Sequence, residues 1–587
     1  MDTALQDTTR RQRPFDERTI DDATAATLRR VALWWGPGAV VVLVVGAWRV
    51  GVPASGEAYF WETSAQVALL AVYGVASLLA RRWPMPSATA MTVAAFGIGV
   101  LSDLEYRPAW GVTLAILLWL PAGMLWLVWQ RRKPLIDIVV LASALLLCLG
   151  GAAWAGSTVY GHFQGPQTEQ SQRASYPDTS VRWVWAGAVT PTSFDVVARL
   201  DSDVTEARLV YGRSADLTGD VVRTDVVRAD TDTNGVRFPL SGLQPGATYY
   251  YAVETEGRID LSRTGRVRTL AEGAHSFTLA FASCARNGSN AQVFESIRDA
   301  DPDLWLLTGD LHYSDIAEDR VVDYVRAYDQ QLMEGAQQAL YLAVPAVYMW
   351  DDHDYGPNDA DRTTRSRPAA LASYRALVPH YAFPLEGEQA PVAQAFTVGR
   401  VRFIVTDLRS ARDPKSNADG PSKTMMGVEQ LAWFESELVA AANSHALVIW
   451  VSSVPWIVRA DEDGGVGDSW GAYATEREHI ADVIADNGID NLLMLAGDAH
   501  MVAADDGSNS DFSTSGGAGF PVLQAAALDR QGSFKGGPYS QGSHPGPGQY
   551  GHLEVTDTGG EEVSVRFEGR RWDGEVLVSY QGSFGTG

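Results

Sequence analysis

Cysteine is nearly lacking: Cys148 and Cys284 are the only two in 587 residues. Two thiols exclude a disulfide framework, and Cys148 lies inside an apolar run that a folded domain could not reach, so Cys284 is expected as an unpaired thiol. Basic residues are scarce, with 46 Lys and Arg against 71 Asp and Glu and a net charge of −25. Nucleic-acid affinity rests on clustered Lys and Arg, so no nucleic-acid partner is expected. There is no Ser in a nucleophile elbow and no Gly-rich phosphate loop. The first thirty residues are polar, so no cleavable signal peptide is expected. No repeat or coiled coil offers a basis for an oligomeric state. At 46% hydrophobic residues the chain is too apolar for disorder, and its length implies several domains.

Charge is unevenly divided, with a net of +2 over residues 1–165 and −27 over 166–587. Apolar runs at 31–48, 65–80, 86–102, 109–130 and 135–156 each approach the roughly 20 residues a helix needs to cross a bilayer. They read as five transmembrane helices behind a cytoplasmic tail, residues 1–30. Arg10, Arg11, Arg13, Arg29 and Arg30 precede the first run, Arg81 and Arg82 follow the second, and Arg131, Arg132 and Lys133 follow the fourth. By the positive-inside rule the N-terminus is then cytoplasmic, and everything beyond residue 157 is extracellular at the plasma membrane. The topology depends on 86–102, which is rich in Ala, Gly and Thr. Buried charge is nearly lacking in the runs, Asp137 standing near an end, so an integral membrane anchor is expected in preference to a transporter.

Residues 157–178 are polar, with Gly, Pro and Gln, and read as a linker. From 179 to 271 short alternating strands separated by turns predict a β-sandwich. Its stretch Leu240–Glu254, where a turn enters Tyr249, Tyr250 and Tyr251, resembles the corner of a fibronectin type III domain. A structural spacer is expected.

Residues 272–587 alternate apolar strands with helical patterns, which predicts an α/β domain with mixed sheets flanked by helices. Several strands end in polar bursts: Cys284 after Leu279–Ser283; Asp310, His312 and Tyr313 after Leu304–Gly309; Asp351, Asp352, His353 and Asp354 after Ala346–Trp350; Asp498 and His500 after Leu492–Gly497. Ligand-binding groups in open α/β sheets gather at the carboxyl ends of strands, so one site is expected. Converging Asp, His, Cys and Tyr are metal ligands before they are anything else. By softness, Cys284 and Tyr313 as anions with His500 and a carboxylate suit iron. Asp352, Asn358 and Asp498 suit a hard cation such as Ca2+ or Mn2+, with Asp310 able to bridge the two. Ser452 and Ser453 are expected to hydrogen-bond to the site. Trp456, Trp470 and Tyr473 suit either its lining or the core.

The ordered set Ser-Cys, Gly-Asp-x-x-Tyr, Asp-Asp-His-Asp and Gly-Asp-x-His resembles the PhoD-like alkaline phosphatases of the calcineurin-like metallophosphoesterase superfamily. The resemblance covers about 180–587. It implies an iron site on Cys284, Asp310, Tyr313 and His500, and a calcium site on Asp310, Asp498 and either Asp352 or Asn358. The implied pair of ions is Fe3+ and Ca2+, with Mn2+ or Zn2+ as alternatives. The implied reaction is hydrolysis of a phosphate ester by two-metal hydroxide attack. His353 would be the catalytic group that steadies the transition state or protonates the leaving oxygen, and Arg286, Arg409, Arg412 and Lys535 would bind substrate. Three departures stand out: His312 inside the second motif, an N-terminal apolar region in place of an export signal, and alternating strands from Gly551 in place of a capping helix. Alternatives are a phosphodiesterase acting on teichoic-acid or phospholipid esters, and a non-catalytic sensor with the same fold.

Overall fold

The computed structural model describes residues 21–50, 60–105, 108–130, 165, 179–458 and 467–585. They belong to two compact units, 1–161 and 162–587.

In the first unit, helices span Asp22–Val50, Phe60–Leu79, Pro84–Glu105 and Pro108–Gln130. Small residues let them approach closely: Ala76, Ala88, Ala94 and Ala122 are buried, and a methyl on Gly97 would lie 2.7 Å from Leu69 Cδ1. The Tyr73 hydroxyl donates to the Leu118 carbonyl at 2.7 Å. Among the described residues, no helix is long and apolar enough to cross a membrane. The five-span expectation is corrected accordingly. Arg29 and Arg30 lie within the first helix, and the third is built largely on Ala, Ser, Thr and Gly, whose burial in lipid gains little. The run 135–156 and, apart from Gly165, the linker 157–178 lie outside the described residues.

The second unit is organised by two large sheets. The first runs, in spatial order, Val576–Gly585, Glu562–Arg571, Gln549–Thr556, Phe277–Ala282, Leu304–Thr308, Ala346–Met349, Val181–Gly187, Ser193–Leu200 and Gly235–Ser241. Its centre is parallel, with Phe281 beside Leu306 and Leu306 beside Val347. The second runs Gln394–Val398, Val401–Val405, Leu447–Ser452, Leu492–Ala496, Val522–Ala525, Met501–Asp505 and Gly542–Pro545. Its central strands are apolar on both faces because both are covered. Val405, Ile449, Val451, Leu493 and Leu495 join the core shared with Phe281 and Leu306 of the first sheet. Their alternates Ile404, Trp450, Leu492 and Met494 pack on Phe434 and Leu438 of helix Val428–Ala442 and Ile480 and Ile484 of helix Ala474–Asp486. Two sheets thus face each other with helices outside.

The strands expected as a separate sandwich split between two sheets. Glu206–Gly212, Thr248–Thr255 and Gly265–Arg268 pair in a small sheet, whereas Val181–Gly187 lies parallel to strand Ala346–Met349, with Gly187 opposite Ala346. A methyl on Gly187 would meet the Ala346 carbonyl at 2.3 Å, so this junction requires glycine. Trp183 Nε1 donates to Asp329 at 2.8 Å, Gln338 to the Val184 carbonyl at 3.0 Å, and Trp185 Nε1 to the Leu377 carbonyl at 2.9 Å. Residues 179–271 therefore share one hydrophobic core with the α/β strands and helices instead of standing apart as a spacer. The C-terminal strands expected from Gly551 onward form the far edge of the first sheet.

Candidate metal centre

The site forms where strands of both sheets end. At these ends the backbone turns over into the left-handed region: φ is 68° at Cys284, 55° at Asp310, 64° at Asp498 and 51° at His500. Non-glycine residues hold that conformation at a cost of order 1–3 kcal/mol each and cluster at functional sites. Two glycines bring the turns together. Gly309 has φ of 108°, and a methyl there would lie 2.5 Å from Asp351 Cβ; one on Gly497 would lie 2.6 Å from the Thr308 carbonyl. Each Gly-Asp motif thus lets its turn sit against the end of a neighbouring strand.

Four overlapping groups of potential ligand atoms result, each with its atoms within 4.8 Å of one another: Cys284, Asp310 and Asp498; Asp310, Asp352 and His353; Asp351, Asp468 and Asp498; and Asp352, Asp359 and Asp468. Asp310 belongs to the first two, the sulfur-containing one and the harder one. The Cys284 thiol lies 3.5 Å from Asp310 Oδ2, and the Tyr313 hydroxyl lies 3.2 Å from His500 Nε2. Asn287 clamps the Tyr313 backbone, accepting from its N–H at 2.7 Å and donating to its carbonyl at 3.0 Å. His353 stacks on the Tyr313 ring, centroids 4.1 Å apart, with Nδ1 2.6 Å from Asp315.

Packing these acids together without water is electrostatically unfavourable. Burial, reinforced by Asp310 and Asp498, pushes the Cys284 thiol well up, and burial with Asp310 does the same to the Tyr313 phenol. Burial raises Asp498 to about 7 even though Lys535 opposes it, and burial with Asp310 raises Asp354 to about 8. Burial works against a charge on His353, but Asp352 and Asp310 hold it up to about 10. Asp310 Oδ1 and Asp352 Oδ1 are buried without a hydrogen-bond partner. Unpartnered buried carboxylate oxygens facing a thiol and imidazoles form a donor set that fits cations, mixed soft and hard around Asp310 and harder around Asp352.

Cys284, Asp310, Tyr313, Asp352, His353, Asp498 and His500 thus converge. Asn358 does not: it is exposed in a turn and donates its amide to Asp359 at 2.7 Å, while the neighbouring Asp359 joins the donor groups and its N–H reaches Asp352 at 2.6 Å. Arg409 and Arg412 are also corrected. Both are fully buried: Arg409 donates to Asp351 at 2.6 Å and to Asp468 at 3.0 and 2.8 Å, and Arg412 lies 2.6 Å from Asp468 and donates to Tyr473 at 2.6 Å. Their charges are consumed inside the fold, so they support the acidic cluster instead of meeting a substrate. Lys535 straddles Asp498, 2.8 and 2.7 Å from its two oxygens. Arg286 lies beside Asp529, which accepts its backbone N–H at 2.6 Å. Asp354 accepts from Leu311 N–H at 2.8 Å and Asp351 N–H at 2.6 Å, which makes it a backbone clamp. Ser453 donates to Asp351 at 2.7 Å, and Trp456 and Trp470 are core.

Sequence reasoning missed Asp468 and Arg530. Asp468 follows a Gly- and Asp-rich stretch with no strand before it. Arg530 belongs to none of the four motifs, yet its guanidinium carbon lies 4.1 Å from the Tyr313 ring centroid.

Comparison with known proteins bears on the same region. The family model for PhoD-like phosphatase matches residues 279–536, which contain every residue of the centre. Alkaline phosphatase D of Bacillus subtilis (strain 168) is 26% identical over 312 residues, 46% of this chain and 53% of that protein. The chain thus spans about half the length of that curated relative. The solved structure of PhoD superimposes with a TM-score of 0.55 at 19% identity, covering 70% of this chain and 92% of that one. The two share a fold.

Proposed function

We propose that the 162–587 unit is a metal-dependent phosphoric ester hydrolase of the PhoD-like type. The observation that carries this reading is the position of Asp310, common to the donor group of Cys284 and Asp498 and to that of Asp352 and His353. Cys284, Asp310, Tyr313 and His500 would hold iron, and Asp310, Asp352 and Asp498 a calcium-like cation. Bound there, such a pair supplies Lewis acidity toward phosphate oxygens and a water acidified to working pH.

The chain's own residues do the rest. Asn287 and the left-handed turns fix the donors before anything binds, which lowers the reorganisation needed for reaction. Asp315 fixes the His353 ring through Nδ1, and the neighbouring carboxylates keep that ring protonated near neutrality, so His353 can give a proton to the leaving oxygen. Lys535 keeps a positive charge beside Asp498 in a region whose net charge of −27 would otherwise repel an anionic substrate.

The test is elemental analysis and a visible spectrum of the purified full chain, with paired assays on aryl phosphate mono- and diesters, which also decide between the phosphatase and the phosphodiesterase. Asp310→Asn should lower turnover by at least about a hundredfold and deplete both metals while the circular dichroism spectrum is kept. Full turnover in Asp310→Asn, or a folded wild type that binds no metal and cleaves neither ester, would overturn the reading. The extracellular placement expected from the basic residues of the N-terminal third is tested apart from it, by protease accessibility of residues 166–587 in intact cells.

A further inference from the structure

We propose that Arg530 is the residue that grips the substrate's phosphate group, an inference that rests on the phosphoesterase reading above. The segment that carries it is anchored on both sides of the centre. Leu528 N–H donates to the Ser283 carbonyl at 3.0 Å, next to Cys284, and Asp529 accepts from Arg286 N–H at 2.6 Å and from the Ser289 hydroxyl. Farther on, Ser533 donates its N–H to the His500 carbonyl and its hydroxyl to the Ala499 carbonyl, both at 2.9 Å. Arg530 is thereby placed between the Cys284 turn and the His500 turn.

Neighbouring cations at the site already have anionic or polar partners. Arg409 is shared by Asp351 and Asp468, Arg412 by Asp468 and Tyr473, and Lys535 sits on Asp498. Among the described residues, no carboxylate lies within 4.0 Å of an Arg530 nitrogen, and its Nε is buried without a hydrogen-bond partner. A guanidinium stays protonated at any working pH, so the site holds a fixed positive charge. Arg530 Cζ lies 4.1 Å from the Tyr313 ring centroid, over the ring, and a planar fork with unused N–H groups fits two terminal phosphate oxygens at once. An anion is the partner this geometry lacks.

The experiment uses the full chain loaded with metal, inorganic phosphate as the probe, and the variants Arg530→Ala and Arg530→Lys. Phosphate affinity is measured by calorimetry, KM and kcat on the aryl phosphate ester, and metal content by elemental analysis. Arg530→Ala should weaken phosphate binding and raise KM at least about tenfold with metal content unchanged, as expected for loss of a charge-assisted pair. Arg530→Lys keeps the charge and most of the volume, so it should fold where the alanine variant does not. It loses the fork, and should weaken phosphate binding at least about threefold. Phosphate affinity and KM within twofold of wild type in either folded, metal-loaded variant would overturn the proposal, as would loss of metal as the primary effect. A wild type that hydrolyses nothing would instead defeat the phosphoesterase reading, so the two failures are distinguishable.

Discussion

Substituting Asp468 by Asn removes one negative charge without removing volume. The carboxylate it replaces lies 3.0 and 2.8 Å from two Arg409 nitrogens and 2.6 Å from Arg412. Burial disfavours its charge, but Arg409 and Arg412 hold it well below the usual carboxylate range. After the change Arg409 still has Asp351, whereas Arg412 keeps only Tyr473, a neutral acceptor. Leaving one partner of a buried pair uncompensated costs about 3–5 kcal/mol. The assay is denaturant unfolding of the full chain followed by tryptophan fluorescence. Trp470 lies two residues from Asp468 and packs 5.3–5.7 Å from Trp456 and Trp450, so this region contributes to the signal. Replacing Arg412 by Met in the same chain removes the stranded charge, and the double variant should recover at least about 1 kcal/mol relative to additivity. A loss below about 1 kcal/mol for Asp468→Asn, with no recovery in the double variant, would refute the claim that these charges balance one another inside the fold.

Two more outcomes are expected. In chelated protein, stability should fall between pH 6.5 and 8: there the unfolded chain has lost its carboxyl and imidazole protons, while the native state retains them on Asp498 (about 7), Asp354 (about 8) and His353 (about 10). Raising the pH therefore favours the unfolded state, and restoring metal, which takes the place of the proton on Asp498, should flatten the trend in thermal midpoints; a chelated protein that gains stability over this window contradicts the burial argument. Asn358→Ala should leave metal content and turnover within about twofold of wild type, because its exposed amide donates to Asp359; elemental analysis showing a lost ion would place Asn358 among the metal donors.

The convergence of these donors was legible because each stands at the end of an apolar strand, where a polar burst adds nothing to the core and so points to binding. Cys284, Asp310, Asp352, Asp498 and His500 all follow that pattern, and the parallel sheets that gather them were legible from strands apolar on both faces. What remained hidden depends on pairing across the chain. Arg409 and Arg412 look like free cations next to a motif, and only the position of Asp468 neutralises them. Asn358 and Asp359 are equivalent in a linear reading, and the turn decides which faces inward. In the N-terminal region runs of suitable length resembled membrane spans. Length is visible in sequence, but the first helix reaches back to include Arg29 and Arg30, and the third packs through small residues.

The parallel pairing of Gly187 with Ala346 bears on how the protein can be divided. Strand Ala346–Met349 leads directly into Asp351 and Asp352, and Val181–Gly187 pairs with its first residue on the outer side. A fragment beginning at residue 272 would lose that pairing and leave the start of the strand as an open edge. Tyr341 and Tyr348 would lose their ring contacts with Trp185. The N-terminal strands therefore act as a protecting flank for the very strand that delivers the acidic ligands, and the smallest piece expected to stay soluble and hold the centre begins before Val181.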